Sequence, residues 1–141
     1  MRLMRGVMAL CLCGTLVSLQ PAVRAEEEAD PVTGAASAWL ALTDRGEYAQ
    51  SWAEAASYFR TAAPQEQWVQ AITAVRSPLG AVISRTLRSA ESARSLPGAP
   101  DGEYVVMQYD TAFEHKQSAV ETITPMRDTD GAWRVAGYYI K

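Results

Sequence analysis

Apolar residues recur at every third or fourth position in the first half of the chain and at every second position in the second half. The first spacing is that of one face of an α-helix, and it predicts three helices. The first begins at Asp30-Pro31, a common pair of cap and first-turn residues. The second covers residues 48–59, and the third runs from Pro64 to just before Pro78, because the residue before a proline avoids helical backbone. The three apolar stripes are Ala35, Trp39 and Leu42; Tyr48, Trp52, Ala56 and Phe59; and Trp68, Ile72 and Val75.

The alternation after Pro78 predicts four β-strands. They cover residues 82–93, 103–114, 119–127 and 133–140. The sequence LPGAPDG, which starts at Leu96, connects the first two, and its prolines and glycines suit tight turns. A phosphate-binding glycine loop is followed by a helix, whereas this one is followed by a strand, so we interpret it as part of a hairpin.

Helices followed by hairpin-joined strands predict an α+β domain. We expect three N-terminal helices packed on one face of a curved four-stranded antiparallel sheet. By analogy, this arrangement is similar to the cone of the NTF2-like and cystatin-like folds. Such a cone has a cavity at its mouth, so the fold favours a pocket for a small molecule without identifying its occupant.

Residues 1–25 have the pattern of a signal peptide: two arginines in the first five positions, an apolar run over 6–19, and Val23-Arg24-Ala25 as a cleavage motif. We expect cleavage after Ala25 and a periplasmic or secreted protein. The apolar run is shorter than the roughly 20 residues that a membrane-spanning helix needs, so no membrane insertion of the mature chain is expected. The predicted organisation is a signal peptide over 1–25, an acidic leader over 26–33, and a single α+β domain over 34–141.

The composition of the mature chain excludes several functions. Both cysteines, Cys11 and Cys13, lie before the cleavage site, so disulfides, thiolate metal sites and cysteine nucleophiles are excluded. Loss of the three arginines of the signal peptide changes the net charge from −3 to −6, which disfavours nucleic acid as a partner. His115 is the only histidine, so we expect no metal site and no cofactor.

Several motifs together resemble the bacterial family known as domain of unknown function 4019. They are Trp39-Leu40-Ala41-Leu42, Gly46-Glu47-Tyr48, Ser51-Trp52, Gln67-Trp68, Pro78-Leu79-Gly80, and the Leu-Pro-Gly-Ala-Pro-Asp-Gly-Glu-Tyr segment that ends at Tyr104. The likeness covers residues 36–139. It implies exported bacterial proteins of one α+β domain, and it carries no activity and no catalytic residue.

Strand alternation also suggests which residues line the sheet's inner face. The apolar row of the second strand contains Tyr109 and Thr111, with Asp110 on the opposite face. In the third strand, an inward row of Val120, Thr122 and Met126 directs Glu121 outward. We therefore predict hydroxyl groups and no carboxylates on the inner face, although one bulge would reverse this assignment. The candidate ligand-facing residues are Tyr109, Thr111, Thr122 and Tyr139, and no catalytic residue is predicted.

Three functional hypotheses follow. The first is an exported, soluble, non-enzymatic domain that binds a small apolar ligand or an envelope protein. The alternative is an NTF2-like enzyme, of isomerase or cyclase type, in which Tyr109, Glu121 or Asp110 does acid-base chemistry. The third is a structural domain that forms oligomers through the outer sheet face, and the sequence leaves the oligomeric state open.

Overall fold

The computed structural model describes residues 30–141, so the predicted signal peptide and the first four residues of the predicted leader lie outside the described part. An α+β domain is confirmed. Four helices precede four strands: α1 (Pro31–Asp44), α2 (Tyr48–Ala53), α3 (Ser57–Ala62), α4 (Gln65–Arg76), β1 (Val82–Ala93), β2 (Tyr104–Phe113), β3 (Lys116–Arg127) and β4 (Trp133–Ile140).

The prediction of one helix over residues 48–59 is wrong, and so is the count of three helices. The apolar spacing is continuous, but the backbone leaves the helical conformation at Ala56, where φ is −58° and ψ is 151°. The Ala56 amide donates a hydrogen bond to the Val135 carbonyl of β4 at 2.8 Å. A bond to the sheet thus replaces a helical one, and the predicted helix becomes α2 and α3.

The strands form one antiparallel sheet in the order β1-β2-β3-β4, with β1 and β4 at its edges. All four predicted strands are present, and β3 starts three residues earlier than expected because Glu114 and His115 alone connect it to β2. Register shifts leave one extra residue in β1, Arg88, between Leu87 and Ser89, and one extra residue in β4, Ala136, between Val135 and Gly137. Shifts of this kind are β-bulges, which bend the strand that carries them.

The main core lies between α1 and the sheet. Its buried members are Ala36, Trp39, Leu40, Met107, Tyr109, Ile123 and Val135. The Trp39 ring lies 5.2 Å from the ring of Tyr138 and 5.8 Å from that of Trp68, within the range of favourable aromatic pairs. Its indole N–H donates to the Ser51 carbonyl at 2.8 Å, so this buried polar group is satisfied.

A second, smaller core lies on the opposite face of the sheet. It contains Tyr104 and Met126, which are register partners, together with Ala56. The LPGAPDG loop covers it: the Tyr104 hydroxyl donates to the Pro100 carbonyl at 2.5 Å, and the Tyr58 hydroxyl of α3 donates to the Gly98 carbonyl at 2.6 Å. The helices are therefore not confined to one face, as had been expected, because α3 reaches round the β4 edge to the second core.

Candidate functional site

An open groove of about 540 Å³ lies between the first turn of α1 and the adjoining ends of β1 and β2. Its apolar lining includes Val32, Val105, Met107 and Trp133. β1 continues the same sheet surface beside β2, where Ala90 and Ser92 are the register partners of Met107 and Val105. Their small side chains leave the space open above the larger apolar residues of β2.

Charged groups surround the apolar lining of this groove. Asp30, Arg94 and Glu103 belong to it. Glu103 forms an ion pair with Arg127 at 3.3 Å. Arg94 forms no ion pair with any residue of the described range 30–141. The groove therefore combines an apolar floor with a charged rim that contains both acidic groups and an arginine.

A buried ion-pair network lies at the other end of the same helix-covered face, and Glu121 is at its centre. Glu121 is 0% exposed, so the prediction that it faces outward is wrong. The inner row of β3 is Ala119, Glu121 and Ile123. Met126, which helped to assign the row, is indeed buried, but in the second core on the opposite face.

The carboxylate of Glu121 accepts hydrogen bonds from three side chains. Arg85 donates from Nε to Oε1 at 2.7 Å and from Nη2 to Oε2 at 3.1 Å. The Thr111 hydroxyl donates to Oε1 at 2.6 Å, and the Tyr138 hydroxyl donates to Oε2. Burial is the main cause that raises the pKa of Tyr138, and the negative charge of Glu121 adds to it, so Tyr138 stays protonated and acts as a donor.

Asp44, the last residue of α1, extends the network to the helices. Arg85 donates to its two oxygens at 2.7 and 3.0 Å in a forked arrangement, and Arg76 at the end of α4 donates at 3.1 Å. Partial burial acts to raise the pKa of Asp44, but the hydrogen bonds and charges of the two arginines outweigh it and lower that pKa. Two carboxylates and two guanidinium groups give the network no net charge.

Arg76 is less completely satisfied than its neighbours. Only 5% of it is exposed, and its guanidinium lies 5.1 Å from the centre of the Phe113 ring, where cation–π attraction operates. Its Nη1 donates to the Thr43 hydroxyl at 3.4 Å, and its Nε has no hydrogen-bond partner in the described structure. The network thus holds the C-terminal ends of α1 and α4 against the sheet at the cost of one unpaired donor.

Comparison with known protein families assigns the chain to one of them. A family model described as "Protein of unknown function (DUF4019)" matches residues 35–138. The chain belongs to the DUF4019 family. This confirms the resemblance drawn from the tryptophan motifs and the LPGAPDG segment. Neither a curated protein nor a solved structure matches the chain.

The DUF4019 domain does not bring the four candidate ligand-facing residues together. Tyr109 and Thr111 lie on the helix-covered face, and the Thr111 hydroxyl is bound to Glu121. Thr122 is 4% exposed and lies on the opposite face, next to its register partner Tyr139, which is 50% exposed. None of the four lines the groove. That any of them contacts a ligand stays a prediction.

Two other residues of this DUF4019 chain that were considered for acid-base or metal chemistry lie at the surface of the domain. His115 is exposed in the turn between β2 and β3, and Asp110 is exposed with Arg88 at 3.7 Å. No cluster of three or more potential metal ligands occurs within residues 30–141. The same stretch contains no helix whose length and hydropathy would let it span a bilayer.

Sequence reasoning missed both the groove and the network. Pairing register was the lacking information: Arg85 stands opposite Thr111 in β1 and β2, and Glu121 stands opposite Tyr109 in β2 and β3. The available signal was an arginine in β1 and a glutamate in β3, the two strands that pair with β2 on either side. It identifies an ion pair only when the register is known.

Proposed function

We propose that the protein is exported and that its mature DUF4019 domain is a non-enzymatic binding domain whose groove takes an apolar ligand, either a small molecule or part of an envelope protein. The groove between α1, β1 and β2 is the observation that carries this proposal. Export is supported by the signal-peptide pattern of residues 1–25.

The size and chemistry of the groove fit ligand binding. Its volume of about 540 Å³ falls within the usual range of ligand sites, roughly 300–1,000 Å³. Sites of this kind combine an apolar lining with a few polar groups that orient the ligand. Val32, Val105, Met107 and Trp133 supply the first feature, and the charged rim supplies the second.

A cone of the NTF2-like or cystatin-like kind is part of this proposal. It is supported by the uninterrupted antiparallel order of the four strands and by the bulges in β1 and β4. A groove at one end of the helix-covered face lies where the mouth of such a cone would be.

Filling the groove tests the proposal. Ala90 points into it, whereas Thr86 lies on the same strand but shares a face with its register partner Asp110 on the opposite side of the sheet. Ala90→Tyr should weaken binding of the neutral dye Nile red about tenfold or more, which corresponds to at least about 1.4 kcal/mol. Thr86→Tyr, the matched control, should leave the affinity unchanged. Equal affinities in both variants would overturn groove binding.

Export is tested separately by the mass of the chain recovered from the periplasm or medium of an expressing bacterium. The expected N-terminal residue is Glu26, which cleavage after Ala25 leaves. Recovery of the uncut chain from the cytoplasm alone would contradict export while leaving the binding test intact.

An acid-base enzyme is the second candidate, because a carboxylate, Glu121, is fully buried next to Tyr138. The geometry gives this function less support than binding. A general base needs a lone pair that faces the substrate, whereas Arg85, Thr111 and Tyr138 already occupy both oxygens of Glu121. Glu121 is also absent from the groove lining.

A further inference from the structure

A second concave surface lies at the β4 edge of the sheet, away from the groove. It is a cleft of about 210 Å³ between α4 and the C-terminal half of β4. Its helix wall consists of Trp68, Ala71, Ile72 and Val75. The cleft and the groove share no lining residue, so the two sites are independent.

The backbone of β4 has open hydrogen-bonding groups along this cleft. Lys141 and Val120 exchange both of their backbone hydrogen bonds, each 3.0 Å long. Bonded and non-bonded pairs alternate in an antiparallel ladder, so the N–H and C=O groups of Tyr138 and Ile140 point away from β3. Because β4 is the edge of the sheet, these groups have no backbone partner among residues 30–141.

The two ends of the β4 edge differ in what covers them. At the N-terminal end, the Val135 carbonyl accepts the Ala56 amide. At the C-terminal end, Val75 and Tyr139 line the cleft and are 46% and 50% exposed, two of the four large apolar side chains exposed within residues 30–141. An unpaired strand edge beside an apolar cleft is the arrangement of strand-addition sites, where a peptide pairs with the edge and inserts alternate side chains into pockets.

The cleft is preformed and small. The Trp68 indole N–H donates to the Ser51 hydroxyl at 3.0 Å, and its ring packs edge-on against Phe59 with 4.9 Å between ring centres. A volume of about 210 Å³ is below the roughly 300–1,000 Å³ of small-molecule sites, so the cleft suits single apolar side chains. The described lining contains no acidic group, and the Lys141 ammonium lies 5.6 Å from the centre of the Tyr139 ring.

We propose that this cleft binds an extended segment of a partner protein, which pairs with the β4 edge at Tyr138 and Ile140 and inserts apolar side chains between β4 and α4. The unpaired backbone groups identify this class of ligand, because an extended polypeptide repeats its donors and acceptors at the spacing of a strand, about 6.8 Å for every second residue. Apolar side chains two residues apart on the segment face the cleft. An acidic residue beside them pairs with Lys141.

The test uses the mature chain and a fluorescein-labelled, amidated peptide of sequence Ser-Thr-Val-Thr-Val-Glu-Ser. Ala71→Tyr fills the cleft and should weaken binding about tenfold or more. Ala74→Tyr is the matched control and should leave the affinity unchanged, because Ala74 is exposed on the same helix but does not line the cleft. Equal affinities of the two variants, or no saturable binding up to about 1 mM peptide, would overturn the proposal.

Backbone pairing is tested separately from apolar contact. One peptide carries an N-methyl group on the central threonine and another carries it on the valine that follows. Only the peptide whose methylated nitrogen faces β4 should bind about tenfold or more weakly, since it loses a donor. Hydrogen exchange of the Tyr138 and Ile140 amides should slow when the unmodified peptide binds. Equal effects of the two methyl groups, or unchanged exchange, would refute strand pairing.

Lys141→Gln tests the charge of the partner. It should weaken binding of the glutamate peptide roughly two- to fivefold at low salt and leave binding of the same peptide with glutamine unchanged. Equal effects on the two peptides would contradict the ion pair. A second copy of the chain is the competing occupant of the edge. A dimer in sedimentation that Ala71→Tyr dissociates, with no binding of the peptide, would overturn the proposal in favour of self-pairing.

Discussion

Replacement of Glu121 by glutamine tests whether the buried network holds the domain together. The change keeps the size of the side chain and removes its charge. Arg85 then keeps only Asp44 as a counter-ion, and one oxygen that accepted hydrogen bonds from Arg85 and Tyr138 becomes an amide nitrogen, which cannot accept them.

The magnitude follows from burial. Breaking a buried ion pair by removing one partner costs about 3–5 kcal/mol, because a charge is left without compensation. Glu121 is fully buried, but Arg85 is partly exposed and retains its forked contact with Asp44. We therefore expect the free energy of unfolding to fall by about 3 kcal/mol, the lower end of that range. This is a large part of the roughly 5–15 kcal/mol that stabilises an ordinary domain.

Urea unfolding at pH 7, followed by tryptophan fluorescence and circular dichroism, measures this loss. The midpoint should fall while the slope with urea stays constant, since the surface exposed on unfolding is unchanged. Glu103→Gln is the matched control: it removes a carboxylate from an exposed pair with Arg127, and it should cost less than about 1 kcal/mol. Equal losses in the two variants would refute the argument from burial.

Further predictions concern pH and one turn. Burial acts to raise the pKa values of Asp44 and Asp128, but hydrogen bonds and arginine charges outweigh burial and lower both values. The stability that these carboxylates contribute should therefore be complete above about pH 4 and lost as the pH falls below it. Urea midpoints between pH 3 and 7 measure this change. Burial raises the pKa of Tyr138, so stability should fall above about pH 10, where unfolded tyrosine ionises, and Tyr138→Phe should reduce that fall in alkaline urea titrations. Gly98→Ala should cost about 1 kcal/mol, because φ is +75° there, whereas Gly34→Ala within α1 should stabilise by about 0.5–1 kcal/mol; thermal unfolding distinguishes the two.

Much of the fold could be predicted because local physics determines it. The alternation of residues 82–93 specified β1, although its arginines and serines made it the most polar strand. Asp30-Pro31 predicted the start of α1. The helical spacing over 48–59 failed because the hydrogen bond from Ala56 to Val135 joins residues 79 positions apart. No local pattern carries such a contact.

The face assignment of β3 failed for a related reason. Hydrophobicity was used to decide which row points toward the helices, and Met126 was taken to mark it. The domain has two cores, however, so a buried apolar residue does not identify the face. A glutamate on the helix-covered face is unexpected unless Arg85 of β1, 36 residues earlier, is known to neutralise it.

The buried network and the groove lie at opposite ends of α1, which connects the stability of the domain with the proposed binding. The C-terminal residue of the helix, Asp44, is anchored to Arg85 and Arg76, whereas Val32 and Thr33 at its other end form a wall of the groove. A helix held at one end and packed along its length through Trp39 presents its first turn to the groove at a fixed angle. The charged network therefore supports a preformed groove, and preorganisation of that kind would lower the entropic cost of the proposed ligand binding.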